Sequence, residues 1–124
     1  MNIKDVREYL LSKPGATEEV PFNMPVPVFK VGDKIFGLIN IHEPFRSSIN
    51  LKYPKGAIHA LRSAYDEIVP GYHMNKDNWN TIYLDGNLSE DLINELIDIS
   101  YDLIFRGLTK KKQEEVLGEK QQLD

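Results

Sequence analysis

Apolar residues recur along this chain at two spacings, one helical and one alternating, and Gly or Pro stands at most changes between them. Ile3, Val6 and Leu10 mark one face of a short helix over residues 2–13, with Asn2 and Asp5 as its N-terminal cap and Pro14-Gly15 as its stop. Alternation then predicts strands over 26–31, 34–42 and 46–52. The first two are joined by Gly32-Asp33 in a two-residue hairpin turn, and Glu43-Pro44 breaks the second. The stretch from Thr17 to Phe22 reads as a short extended segment, limited by Pro21, Pro25 and Pro27. In the third strand Ser47, Ile49 and Leu51 alternate with Ser48, Asn50 and Lys52, which predicts one buried and one wet face.

Pro54 opens a second helix to about Tyr65, buried through Ala57, Ile58, Leu61 and Ala64. A strand follows at residues 79–84, where Trp79 and Tyr83 should share one face and Ile82 and Leu84 the other. Ser89 caps a long helix to about Gly107, striped by Leu92, Ile93, Leu96, Ile97, Leu103 and Ile104. Its opposite face carries Asp91, Glu95, Asp98 and Asp102. Residues 109–124 hold few apolar anchors and mixed charge, so they read as a frayed or disordered tail, dispensable for folding beyond about Lys112. Sequential strands followed by helix, strand and helix predict one α+β domain over residues 1–108: an antiparallel sheet with helices packed on it.

Composition narrows the functional classes. The chain has 124 residues and no cysteine, so disulfides, thiolate nucleophiles and Cys-based metal sites are excluded. Charged residues in the first ten positions rule out a signal-peptide apolar region, and no apolar run reaches membrane-spanning length; a soluble cytoplasmic protein is expected. The net charge of −4 is unevenly spread: residues 1–86 carry ten basic and ten acidic residues, and residues 87–124 carry five and nine. The acid excess belongs to the last helix and tail.

Candidate chemistry concentrates between Val69 and Gly86. Tyr72, His73, Asn75, Lys76, Trp79 and Asn80 crowd one connection, and Lys52 ends the neighbouring strand. Tyr72, Trp79 and Tyr83 could stack on bases, and Lys52, Lys55, Arg62 and Lys76 could contact phosphates if they share a face. Against this stands the ordinary fate of a lone tryptophan, burial beneath a loop with its indole N–H paired. His73 could equally order the loop by hydrogen bonding. No two of His42, His59 and His73 have the helical spacing of a zinc site, and no phosphate loop, dinucleotide fingerprint or nucleophile elbow is present. No metal, cofactor or catalytic residue is assigned, and the chain is expected not to be an enzyme.

Several stretches together resemble the MmcQ/YjbR family of small bacterial proteins: Pro70-Gly71-Tyr72-His73-Met74-Asn75-Lys76 with Trp79-Asn80-Thr81, Lys13-Pro14-Gly15-Ala16-Thr17, Val28-Phe29-Lys30-Val31-Gly32, Ile49-Asn50-Leu51-Lys52, and the last helix with Ser100-Tyr101. The resemblance is collinear over about residues 3–108. One departure is Asn78, where the family favours a histidine. It implies a two-layer α-β-β-β-α-β-β-α fold similar to secretion-chaperone-like domains, with an additional strand around Tyr72 to Asn75. It also implies a DNA-binding role of the "double-wing" type, an association of fold rather than of named residues. The expected function is therefore weak, non-specific DNA binding through Tyr72, His73, Asn75, Lys76, Trp79, Asn80 and Lys52. The alternative is a protein-interaction module using the sheet face or the acidic last helix. A small-molecule or enzymatic role ranks third.

Overall fold

A computed structural model describes residues 1–23, 26–42, 46–72 and 74–123. The break predicted at Glu43-Pro44 and the side chain of His73 lie outside these residues. The elements run α1 (Ile3–Ser12), β1 (Thr17–Glu19), β2 (Val28–Val31), β3 (Lys34–His42), β4 (Arg46–Lys52), α2 (Ile58–Ala64), β5 (Ile68–Pro70), β6 (Trp79–Tyr83), α3 (Glu90–Arg106) and α4 (Lys110–Leu123). The strands form an antiparallel sheet in the order β1-β2-β3-β4-β6-β5, and the fold is α+β. No helix among the described residues is long and apolar enough to cross a membrane.

Local signals set the ends of the elements. The Asn2 side-chain oxygen accepts from the Asp5 N–H at 2.8 Å, and the Ser89 hydroxyl accepts from Leu92 N–H at 3.1 Å. Gly32 and Asp33 both take positive φ, +55° and +68°, the geometry a two-residue hairpin needs for its twist to match the strands. The second helix starts later than expected, at Ile58, because Pro54 to Ala57 form a hydrogen-bonded turn (Ala57 N–H to Pro54 O, 3.0 Å) and Ala57 brings no capping side chain.

Cross-strand partners share a face, so the register sorts the sheet into two sides. Phe29, Gly37, Ile39, Ile49, Leu51, Ile82 and Ile68 lie on one. There they join Val6 and Leu10 of α1, Ile93, Leu96, Ile97 and Tyr101 of α3 and Val116 of α4 in a single buried cluster, with Leu61 and Tyr65 from α2 and its C-terminal flank packed against it. On the other side lie Val28, Leu38, Asn40, Ser48, Asn50, Lys52, Val69, Trp79, Thr81 and Tyr83.

One irregularity ties sheet to helix. The β2–β3 register slips between Phe29↔Gly37 and Lys30↔Ile35, which inserts Phe36 as an extra residue in β3. Phe36 is fully buried, its ring edge-on to Tyr101 at 5.3 Å between centroids. Beyond Gly37↔Leu51 the β3–β4 ladder is completed by a side chain from α3. The Ser100 hydroxyl donates to Phe36 O at 2.7 Å and accepts from Lys52 N–H at 2.8 Å. A mid-helix serine is thus the partner that two otherwise orphaned backbone groups require.

Three expectations are corrected. The additional strand is Ile68–Pro70, not Tyr72 to Asn75. Pro70 suits it because β5 is an edge strand, where a missing N–H costs no ladder bond. The supposed wet face of β4 is closed: Ser48 and Asn50 are 0% and 2% exposed. And residues 110–123 are a helix, not a disordered tail. Val116 is buried in the core cluster. A Cβ at Gly15 would approach its side chain to 2.7 Å, and one at Gly32 would meet Leu108 at 2.6 Å. Thr109 caps α4 through Lys112 N–H (3.1 Å), and the Gln113 amide donates to the carbonyls of Phe105, Arg106 and Leu108 at the end of α3. One valine and a set of capping bonds hold the segment that apolar counting leaves loose; Leu117 stays exposed.

Candidate functional site

The connection from β5 to β6 lies over the side of the sheet that faces away from the helical core, and three elements fix it. From the sheet, the Thr81 hydroxyl accepts the Tyr72 N–H at 2.8 Å and donates to Asn50 Oδ1 at 2.7 Å. Asn50 Nδ2 in turn donates to Tyr72 O at 3.2 Å, so both ends of the Tyr72 residue are held. Asn40 Nδ2 also donates to Asn50 Oδ1, at 3.1 Å. From α2, the Arg62 guanidinium donates to Asn80 Oδ1 at 2.7 Å and to the carbonyls of Lys76 and Trp79. From within the loop, Asn75 Oδ1 accepts Asp77 N–H at 2.9 Å, and Asn75 O accepts the N–H groups of Asn78 and Trp79. Gly71 makes the entry possible: it sits against Trp79, where a Cβ would come within 2.9 Å of Trp79 O and 3.0 Å of Trp79 Cβ.

This anchoring separates the sequence-predicted residues by what their side chains are free to do. Asn75 and Asn80 are committed to loop geometry; Asn80 is 1% exposed, held by Arg62, and its Nδ2 has no partner among the described residues. Arg62, grouped with the candidate phosphate contacts, is likewise spent on the loop. Tyr72, at 55% exposure, presents its ring to solvent while its backbone is fixed. Trp79 is half-buried rather than enclosed and lies outside the core cluster. It is the cross-strand partner of Lys52, and Tyr83 shares its face as expected. Lys76 is exposed, and neither it nor Lys52 has an ion-pair partner among the described residues. Lys52 also lines a groove of about 260 Å³ with Lys34, Ile35, Leu103, Ile104 and Gly107. The structure brings Tyr72, Trp79 and Lys52 to one side of the sheet, places Lys76 in the adjoining loop with its carbonyl held by Arg62, and leaves His73 outside what it describes.

At the far end of the same side, Arg46 lies over the Tyr83 ring, 3.6 Å from its centroid, and pairs with Asp85 at 2.9 Å. That contact holds the Asp85 carboxyl below and the Arg46 guanidinium above their ordinary pKa values, in each case chiefly through the shared hydrogen bonds. Asp98, part of the acidic face of α3, is not a free charge: its Oδ1 receives the Tyr9 hydroxyl at 2.8 Å and the Lys13 ammonium at 2.7 Å. Among the described residues no group of three or more His, Asp or Glu side chains is arranged to hold a metal ion.

Sequence comparison assigns the fold and this loop to a known lineage. The YjbR family profile matches residues 11–103. The chain belongs to the YjbR family. It is 32% identical over 113 residues to YjbR of Escherichia coli K12, covering 91% of this chain and 95% of that one. It is 40% identical over 98 residues to YbdF of Escherichia coli O157:H7, covering 77% and 78%. Among solved structures it is similar to the Deinococcus radiodurans protein DR2400, a DUF419 domain, with a TM-score of 0.82 at 34% identity over 93% of this chain and 87% of the other. A Pseudomonas syringae protein gives 0.73 at 27% identity, over 84% and 99%. The YjbR-family match ends within α3, so α4 lies beyond it. Family membership brings a fold and not an activity. The elements that hold the loop, Asn50, Arg62, Asn75 and Thr81, all fall inside the matched region.

Sequence reasoning missed Asn50, Thr81 and Arg62 as the loop's anchors. Asn50 and Thr81 carry no local signal, since each becomes meaningful only through strand register. Arg62 reads as one more surface cation until its partners are known.

Proposed function

We propose that this YjbR-family chain is a small non-enzymatic nucleic-acid-binding protein whose contact surface is the side of the sheet carrying the β5–β6 loop. The observation that supports it most is that Lys52, the exposed Tyr72 and the half-exposed Trp79 share this side, with Lys76 exposed in the adjoining loop and neither lysine ion-paired among the described residues. The ammonium groups act as point charges toward phosphate, which positions a ligand without reading its sequence. With so few cations in a chain of net charge −4, affinity falls in the non-specific range of about 10⁻⁴–10⁻⁶ M.

A fluorescence-anisotropy titration with labelled DNA at low salt tests this. Wild type binds, and log K falls with log salt. Lys76→Glu weakens binding about equally for all sequences and flattens the slope by roughly 0.9 on duplex. Absence of binding to both single- and double-stranded DNA at low salt ends the proposal.

A protein-interaction role is the second reading. Its acidic-helix version is weakened because Asp98 is already paired with Lys13 and Tyr9. What favours it instead is Val20 and Phe22, 61% and 107% exposed, immediately after the edge strand β1. Phe22→Ser would abolish capture of such a partner and leave DNA binding untouched.

A further inference from the structure

We infer that the preferred ligand of this surface is a single nucleic-acid strand, with bases stacking on Tyr72 and Trp79 and the backbone running along Lys76 and Lys52. This rests on the nucleic-acid reading above and goes beyond it in naming the form of the ligand.

The argument is one of supply. A duplex presents its charge in a dense double row and hides its base faces, so a duplex binder needs many cations. This surface has two that lack ion-pair partners among the described residues: Lys76 in the loop and Lys52 beside Trp79. Asp77 in the loop opposes any phosphate nearby. Two lysines in an acidic protein give little Coulomb attraction. A single strand, however, offers unpaired bases, and stacking does not depend on charge.

The aromatic groups are prepared for that role. Tyr72 is held through its own N–H and C=O by Thr81 and Asn50, so its exposed ring needs little further ordering of the backbone. Trp79 is placed by the β4–β6 register and by Arg62 on its carbonyl. Stacking on them tolerates any base, so binding is indifferent to sequence.

Trp79 is the only tryptophan, so its fluorescence reports this surface alone. The test titrates the intact protein at low salt with an oligothymidylate of about a dozen nucleotides, within the range of strand lengths that single-strand sites cover. Matched arms use oligouridylate and a duplex of equal length. The expected result is quenching of Trp79 emission by the single strands and at least about tenfold weaker binding of the duplex. Tyr72→Ala, which keeps both backbone anchors, lowers single-strand affinity by about 5- to 150-fold and leaves duplex binding alone. Lys52→Glu lowers affinity for both forms and flattens the single-strand salt slope by about 0.7. Equal affinity for duplex and single strand, or a Tyr72→Ala protein that binds single strands like wild type, overturns the inference while the broader nucleic-acid role stands. No binding by any arm removes both.

Discussion

The two sides of the sheet solve burial in opposite ways. Toward the helices, Phe29, Ile39, Ile49, Leu51, Ile82 and Ile68 meet apolar side chains from α1, α3 and α4, and the buried polar groups are few, chiefly Ser100 and Asn80. On the other side, Asn40, Ser48, Asn50 and Thr81 occupy the centre, and Ser48, Asn50 and Thr81 are at most 2% exposed. Apolar packing is non-directional and tolerates rearrangement, whereas buried amides and hydroxyls are satisfied only in one geometry. The first side therefore carries the stability. The second specifies where a loop sits. The candidate binding groups stand on the side built for orientation.

Substitutions on each side sharpen that contrast. The largest loss is expected for Phe36→Ala, which removes a fully buried ring from the helical side: about 3–5 kcal/mol by urea denaturation. Next comes Asn50→Ala, which strands the Thr81 hydroxyl, the Asn40 amide and Tyr72 O, for about 1–3 kcal/mol. Here the diagnostic is local: the Tyr72 amide should exchange its hydrogen faster than the core strands do. If Phe36→Ala had that signature and Asn50→Ala did not, the division between the sides would be wrong.

Smaller effects test the periphery. Val116→Ala should cost about 1–2 kcal/mol. Removal of residues 110–124 should likewise lower the melting temperature, in contrast to the dispensable tail that composition suggests. Alkaline titration comes next. Burial, followed by the hydrogen bond to Asp98, pushes Tyr9 up to about 12; burial, followed by the nearby Asp102, pushes Tyr101 up to about 12. Because these folded values lie above the ordinary value of about 10, the stability they contribute is intact below pH 10 and is lost as pH climbs from there toward 12. Tyr101→Phe, which lacks the bond to Pro14 O, should show a shallower loss over that window. The smallest effect is that of Lys76→Glu, under about 0.5 kcal/mol, because the side chain is exposed and bonded to no described residue.

What could be read ahead of the structure was local. Asn2 and Ser89 as caps, Gly32-Asp33 as a hairpin and the apolar stripe of α3 each depend on residues a few positions apart, and each stands. The failures depend on distant partners. Alternation placed Ser48 and Asn50 on a wet side, because a polar residue looks solvent-facing until Thr81 and Asn40 are known to be beside it. The family resemblance puts the additional strand around Tyr72 to Asn75, whereas β5 ends at Pro70. α4 was unreadable for a related reason: its seat is formed by two glycines far upstream, and glycine contributes nothing to a hydrophobic count. At the candidate site the crowding of chemistry between Tyr72 and Asn80 was visible, but not that Asn75, Asn80 and Arg62 spend their side chains on holding the loop.

The Ser100 bridge also bears on how this chain reaches its fold. The β3–β4 hairpin is local and fast to close, yet its last rung requires a hydroxyl 64 residues from one partner and 48 from the other. Until α3 docks, Phe36 O and Lys52 N–H have only water, and Phe36 has no Tyr101 to lie against. Neither the sheet nor the long helix can reach its final free energy without the other. The two should therefore unfold as one cooperative unit, with amide protection at Lys52 as deep as that of the helix core.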